Sequence, residues 1–268
     1  MNIFAALRRT GFALAAGIAG LAACAFAPSS SIAKSDAPLR WRVVRVLPHD
    51  SADFTQGLAL EGDRFIESTG QYGRSQLLEK DIASGSVVRA RALDADYFGE
   101  GVTLFGGRIV QLTWREHATF VYDRDFRLLR KLRSEEQGWG ITHDGHVLIT
   151  SDGSTQLQFR DAETFSVLRT LEVREDARPL INLNELEYAR GRIWANVWLS
   201  DRIVAIDPAS GAVEQVLDLS GLEQRFERPA NWNGDSVLNG IAYDAASDHF
   251  YVTGKCWPVI FELEVERR

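Results

Sequence analysis

The sequence predicts an all-β chain that closes on itself as a five-bladed β-propeller, and three observations carry that prediction. From Leu39 onward, runs of four to seven residues alternate apolar and polar side chains between Gly-Asp, Gly-Gly, Asp-Gly and Ser-Gly turns. This is the pattern of short strands; a helical period is suggested only by a turn near Leu222 to Phe226. One template recurs five times. A strand-like run from Trp41 to Leu47 precedes the first copy, while the last copy ends after Val259 to Val265 without a fourth strand.

The five units begin Gln56-Gly57-Leu58, Glu100-Gly101-Val102, Trp139-Gly140-Ile141, Asn184-Glu185-Leu186 and Asn239-Gly240-Ile241. Their second residues (57, 101, 140, 185 and 240) are spaced 39 to 55 residues apart. Six positions beyond the second residue, the first four units reach a hairpin at Asp63, Gly107, His146 and Gly191. Thirteen positions beyond it stand Gly70, Trp114, Gly153 and Trp198, and the fifth unit reaches Gly254 after one inserted residue. A later strand ends in Asp81, Asp123, Asp161 and Asp207 in turn, each read as a turn former. A period of about 40–50 residues with four short strands is the mark of a propeller blade. The missing fourth strand of the last blade is then supplied by Trp41 to Leu47, which hides both sheet edges. A β-sandwich is the competing architecture.

Ahead of the propeller, residues 1–23 read as an export signal and residues 24–38 as a tether, leaving residues 39–268 as one domain. Arg8 and Arg9 precede an Ala-rich apolar stretch from Phe12 to Ala23, too short to span a bilayer. Leu21-Ala22-Ala23-Cys24 resembles a lipobox, which makes Cys24 the lipidation site and the only expected link to a membrane. Cleavage after Ala25-Phe26-Ala27 is the alternative, disfavoured by Pro28 after the scissile bond, and Arg8-Arg9 leaves a twin-arginine route open. The expected location is the periplasm, lipid-anchored, or otherwise soluble and secreted.

Composition narrows the chemistry. A net charge of −7, with 30 Lys and Arg against 37 Asp and Glu, excludes nucleic acid as the natural partner. Two cysteines, Cys24 and Cys256, make neither a disulfide framework nor a zinc cluster, and the five histidines form no HExxH motif. Cys256 reads as a buried free thiol. No metal ligand set is predicted; a calcium ion on the propeller axis has nothing in the sequence to support it.

Equivalent positions of propeller blades face one annulus, so the repeat locates the candidate site. The first position reads Gln56, Glu100, Trp139, Asn184, Asn239; the thirteenth brings Trp114 and Trp198, with Lys255 directly after Gly254. Positions that should match in a purely structural repeat diverge into one carboxylate, three amides, three tryptophans and a lysine. An aromatic wall with a few convergent polar groups is the composition of a pocket. Trp114 and Trp198 have a packing role as their alternative, Asn239 reads as a strand-capping amide, and Glu185 and Glu187 read as structural. His117, in Arg115-Glu116-His117, reads as the tip of a hairpin facing solvent.

Phe54-Thr55-Gln56-Gly57-Leu58, Phe98-Gly99-Glu100-Gly101, Gly138-Trp139-Gly140-Ile141-Thr142, Leu183-Asn184-Glu185-Leu186-Glu187 and Gly254-Lys255 resemble the motifs of the plant and bacterial type of glutaminyl-peptide cyclotransferase. The likeness runs from about Phe54 to Leu263. It implies a five-bladed propeller that converts N-terminal glutamine of peptides or proteins to pyroglutamate with release of ammonia, with no cofactor and no catalytic metal. Carried over by motif, Glu100 is the acid/base, and Gln56, Asn184 and Lys255 are polar substrate contacts. Phe54, Phe98, Trp114, Trp139 and Trp198 would line the pocket. A monomer is the expected state.

The residue types suit that chemistry on their own. The α-amine must attack the side-chain amide carbon, and ammonia must leave a tetrahedral intermediate. Aromatic walls hold the ring-forming conformer, amides and an ammonium stabilise the oxyanion, and one carboxyl moves the proton. Among indoles its pKa would rise towards the useful range, against the pull of Lys255. A non-catalytic periplasmic propeller, acting as a ligand-binding or scaffold module, is the reading from another class; a metal-dependent lactonase-like propeller would want several converging carboxylates.

Overall fold

The computed structural model describes residues 37–268. The export signal, most of the tether and Cys24 lie outside the described residues. In chain order the strands are β1 Trp41–Pro48, β2 Thr55–Glu61, β3 Arg64–Thr69, β4 Gln76–Asp81, β5 Val87–Ala92, β6 Gly99–Phe105, β7 Arg108–Thr113 and β8 Ala118–Tyr122. Then come β9 Leu128–Arg133, β10 Ile141–His143, β11 Leu148–Ser151, β12 Gln156–Arg160, β13 Val167–Glu172, β14 Arg174–Glu175 and β15 Arg178–Pro179. β16 Leu183–Ala189, β17 Arg192–Val197, β18 Arg202–Ile206, β19 Val213–Asp218, β20 Leu238–Asp244, β21 His249–Gly254 and β22 Val259–Val265 complete the chain. A 3₁₀ turn at Leu222–Arg225 is where the one helical signal lay.

Five antiparallel four-stranded sheets form the blades: β2–β5, β6–β9, β10–β13, β16–β19, and the sheet ordered β1-β22-β21-β20. The ring closes as the sequence predicts. β1 runs antiparallel to β22, from Trp41 opposite Val265 to Pro48 opposite Val259, and gives the fifth blade its fourth strand. The small β14–β15 hairpin had no counterpart in the repeat; residues Asp176 and Ala177 turn it through positive φ of 47° and 65°.

Burial falls from the axis outwards. Inner strands such as β2 and β6 are buried along most of their length, whereas β5, β9 and β13 are largely exposed. The apolar core is correspondingly divided into five slabs, each shared by two neighbouring blades. Leu77 of the first blade meets Ile109 of the second, for example, and Leu157 of the third meets Ile193 of the fourth. Each blade is thus packed against its two neighbours across these slabs.

Glycine in the second template position is explained at the axis. A Cβ on Gly57 would lie 2.4 Å from the Val102 nitrogen, one on Gly101 2.7 Å from the Trp139 oxygen, and one on Gly140 2.1 Å from the Asn184 oxygen. In these three blades the inner strand therefore touches the next through a missing side chain. The fourth blade breaks the rule with Glu185, whose carboxyl enters the axis and accepts hydrogen bonds from Leu58 N (3.2 Å) and Ile241 N (2.8 Å). Glu187 similarly accepts from Tyr243 N at 3.2 Å. Both carboxyls stitch blades together, the structural role read from their positions. Burial pushes Glu185 well above the ordinary carboxylate range and Glu187 up to about 8.

Candidate active site

The first position of the template lies in a β-bulge in four blades. The ladder shifts register between Thr55 and Gly57, Gly99 and Val102, Leu183 and Leu186, and Leu238 and Ile241. A bulge breaks the strict in–out alternation of a strand and re-aims the extra side chain. At the mouth of the propeller it turns Gln56, Glu100 and Asn184 into one cavity of about 300 Å³. Asn239 is not among its lining residues. Its Nδ2 donates to Thr55 O at 3.0 Å, so it braces the first blade against the fifth as a strand-capping amide would.

Two aromatic walls face this cavity. Phe98 stands edge-on to Phe54 (centroids 6.2 Å apart) and to Trp114 (5.5 Å), and Trp139 is edge-on to Trp198 at 5.5 Å and 86°. The thirteenth template position alternates for a steric reason. A Cβ on Gly70 would lie 2.4 Å from the Phe98 ring, and one on Gly153 would lie 2.6 Å from Trp139. Glycine stands where a ring from elsewhere presses on the backbone, and tryptophan stands where the position supplies the ring. Trp114 and Trp198 line the cavity rather than an interblade slab.

The polar groups are few and deeply placed. Glu100 is 4% exposed, and Gln56 Nε2 donates to its Oε1 at 3.0 Å. Burial lifts the Glu100 carboxyl well above its ordinary pKa; Lys255 opposes the rise and Glu116 adds to it. Lys255 is buried with its Nζ 5.0 Å from the centre of the Phe54 ring, and burial lowers its pKa against the pull of Glu100 and Asp235. Three buried atoms of the lining have no hydrogen-bond partner: Gln56 Oε1, Asn184 Oδ1 and Trp139 Nε1. An unsatisfied buried polar atom costs about 1–3 kcal/mol, so two acceptors and a donor left open in one cavity mark a place prepared for a polar guest.

All nine residues singled out from the sequence as catalytic or substrate-binding line this one cavity: Phe54, Gln56, Phe98, Glu100, Trp114, Trp139, Asn184, Trp198 and Lys255. Two further lining residues, Gln71 and Asp235, were missed. Gln71 had a signal, since it follows Gly70 as Lys255 follows Gly254. Asp235 had none, because it lies in the long segment between β19 and β20 that the template does not cover. One expectation needs correction. His117 is half-buried, its Nδ1 3.1 Å from Glu136 O, because the β7–β8 hairpin tip folds onto the neighbouring segment instead of standing in solvent. Cys256 is a buried free thiol, as read.

One group of residues among those described has the spacing of metal ligands: His49, Asp53 and Glu67. Its lone pairs are already committed. Lys80 Nζ donates to Glu67 Oε2 at 2.6 Å and also to Asp53, and Thr55 donates to Glu67 Oε1 at 2.7 Å. An ammonium occupies the position a metal cation would need.

A glutaminyl-peptide cyclotransferase of Arabidopsis thaliana is 39% identical over 228 residues, covering 84% of this chain and 71% of its own. The crystal structure of Myxococcus xanthus glutaminyl cyclase superposes with a TM-score of 0.80 at 34% identity, over 86% of this chain and 99% of that one. Residues 15–265 match the profile described as glutamine cyclotransferase, and the chain belongs to that family.

Proposed function

We propose that the cavity cyclises N-terminal glutamine of peptides or proteins to pyroglutamate, releasing ammonia, with Glu100 as the single proton shuttle. The observation that carries this reading is a buried carboxyl of raised pKa, anchored 3.0 Å from an amide, in an aromatic cavity with three open polar atoms. The family membership and the names of the two relatives support the same activity.

The reaction needs little from the protein beyond shape and one proton carrier. The α-amine nitrogen bonds to the side-chain amide carbon, the carbonyl oxygen gains charge, and the C–N bond to the leaving nitrogen breaks. Glu100, as carboxylate, takes a proton from the attacking nitrogen and returns it to the departing one. A carboxyl whose pKa is lifted towards neutrality serves both halves of that transfer. Lys255 and the Trp139 indole N–H are the donors for the developing oxyanion, and the open Asn184 and Gln56 oxygens accept from the substrate nitrogens. The walls formed by Phe54, Phe98, Trp114 and Trp198 restrict the glutaminyl rotors and exclude water, which favours ring closure over hydrolysis.

The test is direct. Purified protein incubated with a glutamine-initiated peptide should release one equivalent of ammonia and leave a product that lacks a free amine. Binding of the peptide without ammonia would leave a ligand-binding module as the reading. We further propose export with acylation at Cys24, on the strength of the Leu21 to Cys24 motif; Cys24→Ser should then release the protein from the membrane fraction.

A further inference from the structure

The hairpin tip between β7 and β8 contains a carboxylate that the motifs do not account for. Glu116 Oε2 accepts the backbone N–H of Phe98 at 3.2 Å, and Oε1 accepts the Tyr72 hydroxyl at 2.7 Å. It thus joins two blades at the cavity wall. The Tyr72 ring in turn lies edge-on to Phe98 at 5.3 Å, and Phe98 is edge-on to Trp114 at 5.5 Å. Arg115 covers the outer face of Trp114, its guanidinium carbon 3.7 Å from the ring centre. The tip is held down behind by Ser134 N on His117 O at 3.1 Å.

Phe98 precedes Glu100 by two residues, so the carboxylate that holds the Phe98 amide is tied to the segment that carries the proton shuttle. We propose that Glu116 is a positioning residue for the cyclisation: it locks the Tyr72–Phe98–Trp114 wall and sets a second carboxylate within electrostatic range of Glu100. This rests on the cyclase reading of the cavity and deepens it. The charged and titratable groups around Glu100 come from four directions. Lys255 comes from the fifth blade, Glu116 from the second, Tyr72 from the first and Asp235 from the segment before β20. Among these charged groups Lys255 favours ionisation of Glu100, as does the hydrogen bond from Gln56, whereas a negative charge at Glu116 favours its protonated form.

Two functions of one side chain are separable by substitution. Glu116→Gln keeps an oxygen for the Phe98 N–H and a nitrogen that the Tyr72 hydroxyl can accept, but removes the charge. The acidic limb of the kcat/KM profile should then move to lower pH by about one unit, the size of one nearby charge at an intermediate dielectric, with KM unchanged. Tyr72→Phe keeps the charge and cuts the tie; KM should rise about five- to tenfold while the limb stays where it is. Glu116→Ala should show both effects.

A limb that does not move in Glu116→Gln, or moves to higher pH, overturns the electrostatic half. An unchanged KM in both Tyr72→Phe and Glu116→Ala overturns the positioning half. Carbon-13 titration of the glutamate carboxyls, with Glu100 assigned by the resonance lost in Glu100→Gln, reads the same shift without turnover. If wild-type protein releases no ammonia but Glu100 still titrates lower in Glu116→Gln, the cyclase reading falls and the electrostatic coupling stands.

Discussion

Two buried charge clusters lie almost back to back in the chain and behave in opposite ways. Phe54 and Lys255 face the cavity, while their neighbours Asp53, Trp257 and the preceding His49 belong to the cluster behind its wall. In that cluster His49 Nδ1 stands 2.6 Å from the Trp257 carbonyl oxygen and Nε2 stands 3.1 Å from Glu67 Oε1. A carbonyl only accepts, and Glu67 is held well below the ordinary carboxylate range by Lys80 and His49 although burial works against its charge. Both imidazole nitrogens therefore donate, which makes His49 an imidazolium. Two cations and two carboxylates cancel, and each is hydrogen-bonded.

The cavity has equal burial without that closure. Glu100 and Lys255 are not hydrogen-bonded to each other, burial moves both towards neutrality, and three neighbouring polar atoms stay open. Between these two clusters the difference is satisfaction, not burial. A saturated network fixes its members in one protonation state, whereas an unsaturated one keeps a group free to exchange a proton with a guest. The backbone links the two: Cys256 N donates to Asp53 O at 2.8 Å and His49 N to Pro258 O at 3.0 Å, so the saturated cluster fixes the wall that carries Phe54 and Lys255.

The contrast can be broken at its reactive end first. Glu100→Gln should reduce kcat by about 10²–10⁴-fold with little change in substrate affinity, as expected for loss of general acid–base catalysis. Because the folded pKa of Glu100 is raised, ionisation costs stability as pH climbs above the ordinary carboxylate range. The variant should therefore melt higher than wild type at neutral pH and equally at pH 4. Equal kcat would move the shuttle to another residue.

At the saturated end the largest effect is on stability. Lys80→Met leaves Glu67 and Asp53 facing each other, and removing one partner of a buried ion cluster costs about 3–5 kcal/mol. Denaturant melts should show that loss. A variant as stable as wild type would mean that the cluster is not held by its charges.

Trp139→Phe sharpens the comparison, since it keeps an aromatic ring, though a smaller one, and deletes the open indole N–H. Turnover should fall by about ten- to a hundredfold with stability unchanged or raised, because an unsatisfied donor is removed. The smallest effect is the pH dependence contributed by His49, whose pKa is raised: burial works against its charge, but Glu67 overrides it. Its contribution is complete below the ordinary imidazole value of about 6.5 and fades as pH rises through the raised one. His49→Gln should be less stable than wild type at pH 6, with the gap narrowing at alkaline pH; a constant gap would mean that His49 is neutral throughout.

How far the sequence reveals such a site depends on the kind of constraint. Gly57, Gly101 and Gly140 repeat because inner strands meet at the axis with no room for a Cβ, so the template reports the axis directly. Gln56, Glu100 and Asn184 were found because they share a template position, and Gln71 could have been found in the same way. Asp235 and Glu116 were not, because neither owes its place to the repeat: one sits on a long interblade segment, and the other acts through a folded hairpin tip. The β14–β15 hairpin is likewise an insertion with no partner unit to compare with.

What the sequence determined by itself is periodic: five inner strands, a strand at each end to close the ring, and the set of side chains brought to one mouth. Periodicity is enough for these because strand alternation and axial crowding act on every unit alike. The tertiary structure decided which buried charges are quiet and which are reactive. That depends on whether each donor and acceptor finds its partner across blades that are distant in the chain. His49 meets the carbonyl of Trp257 and Lys80 meets Asp53, whereas the atoms around Glu100 are left open. No local pattern records that difference, since a buried glutamate and a buried lysine stand in both clusters and only the closed ring brings their partners together or keeps them apart.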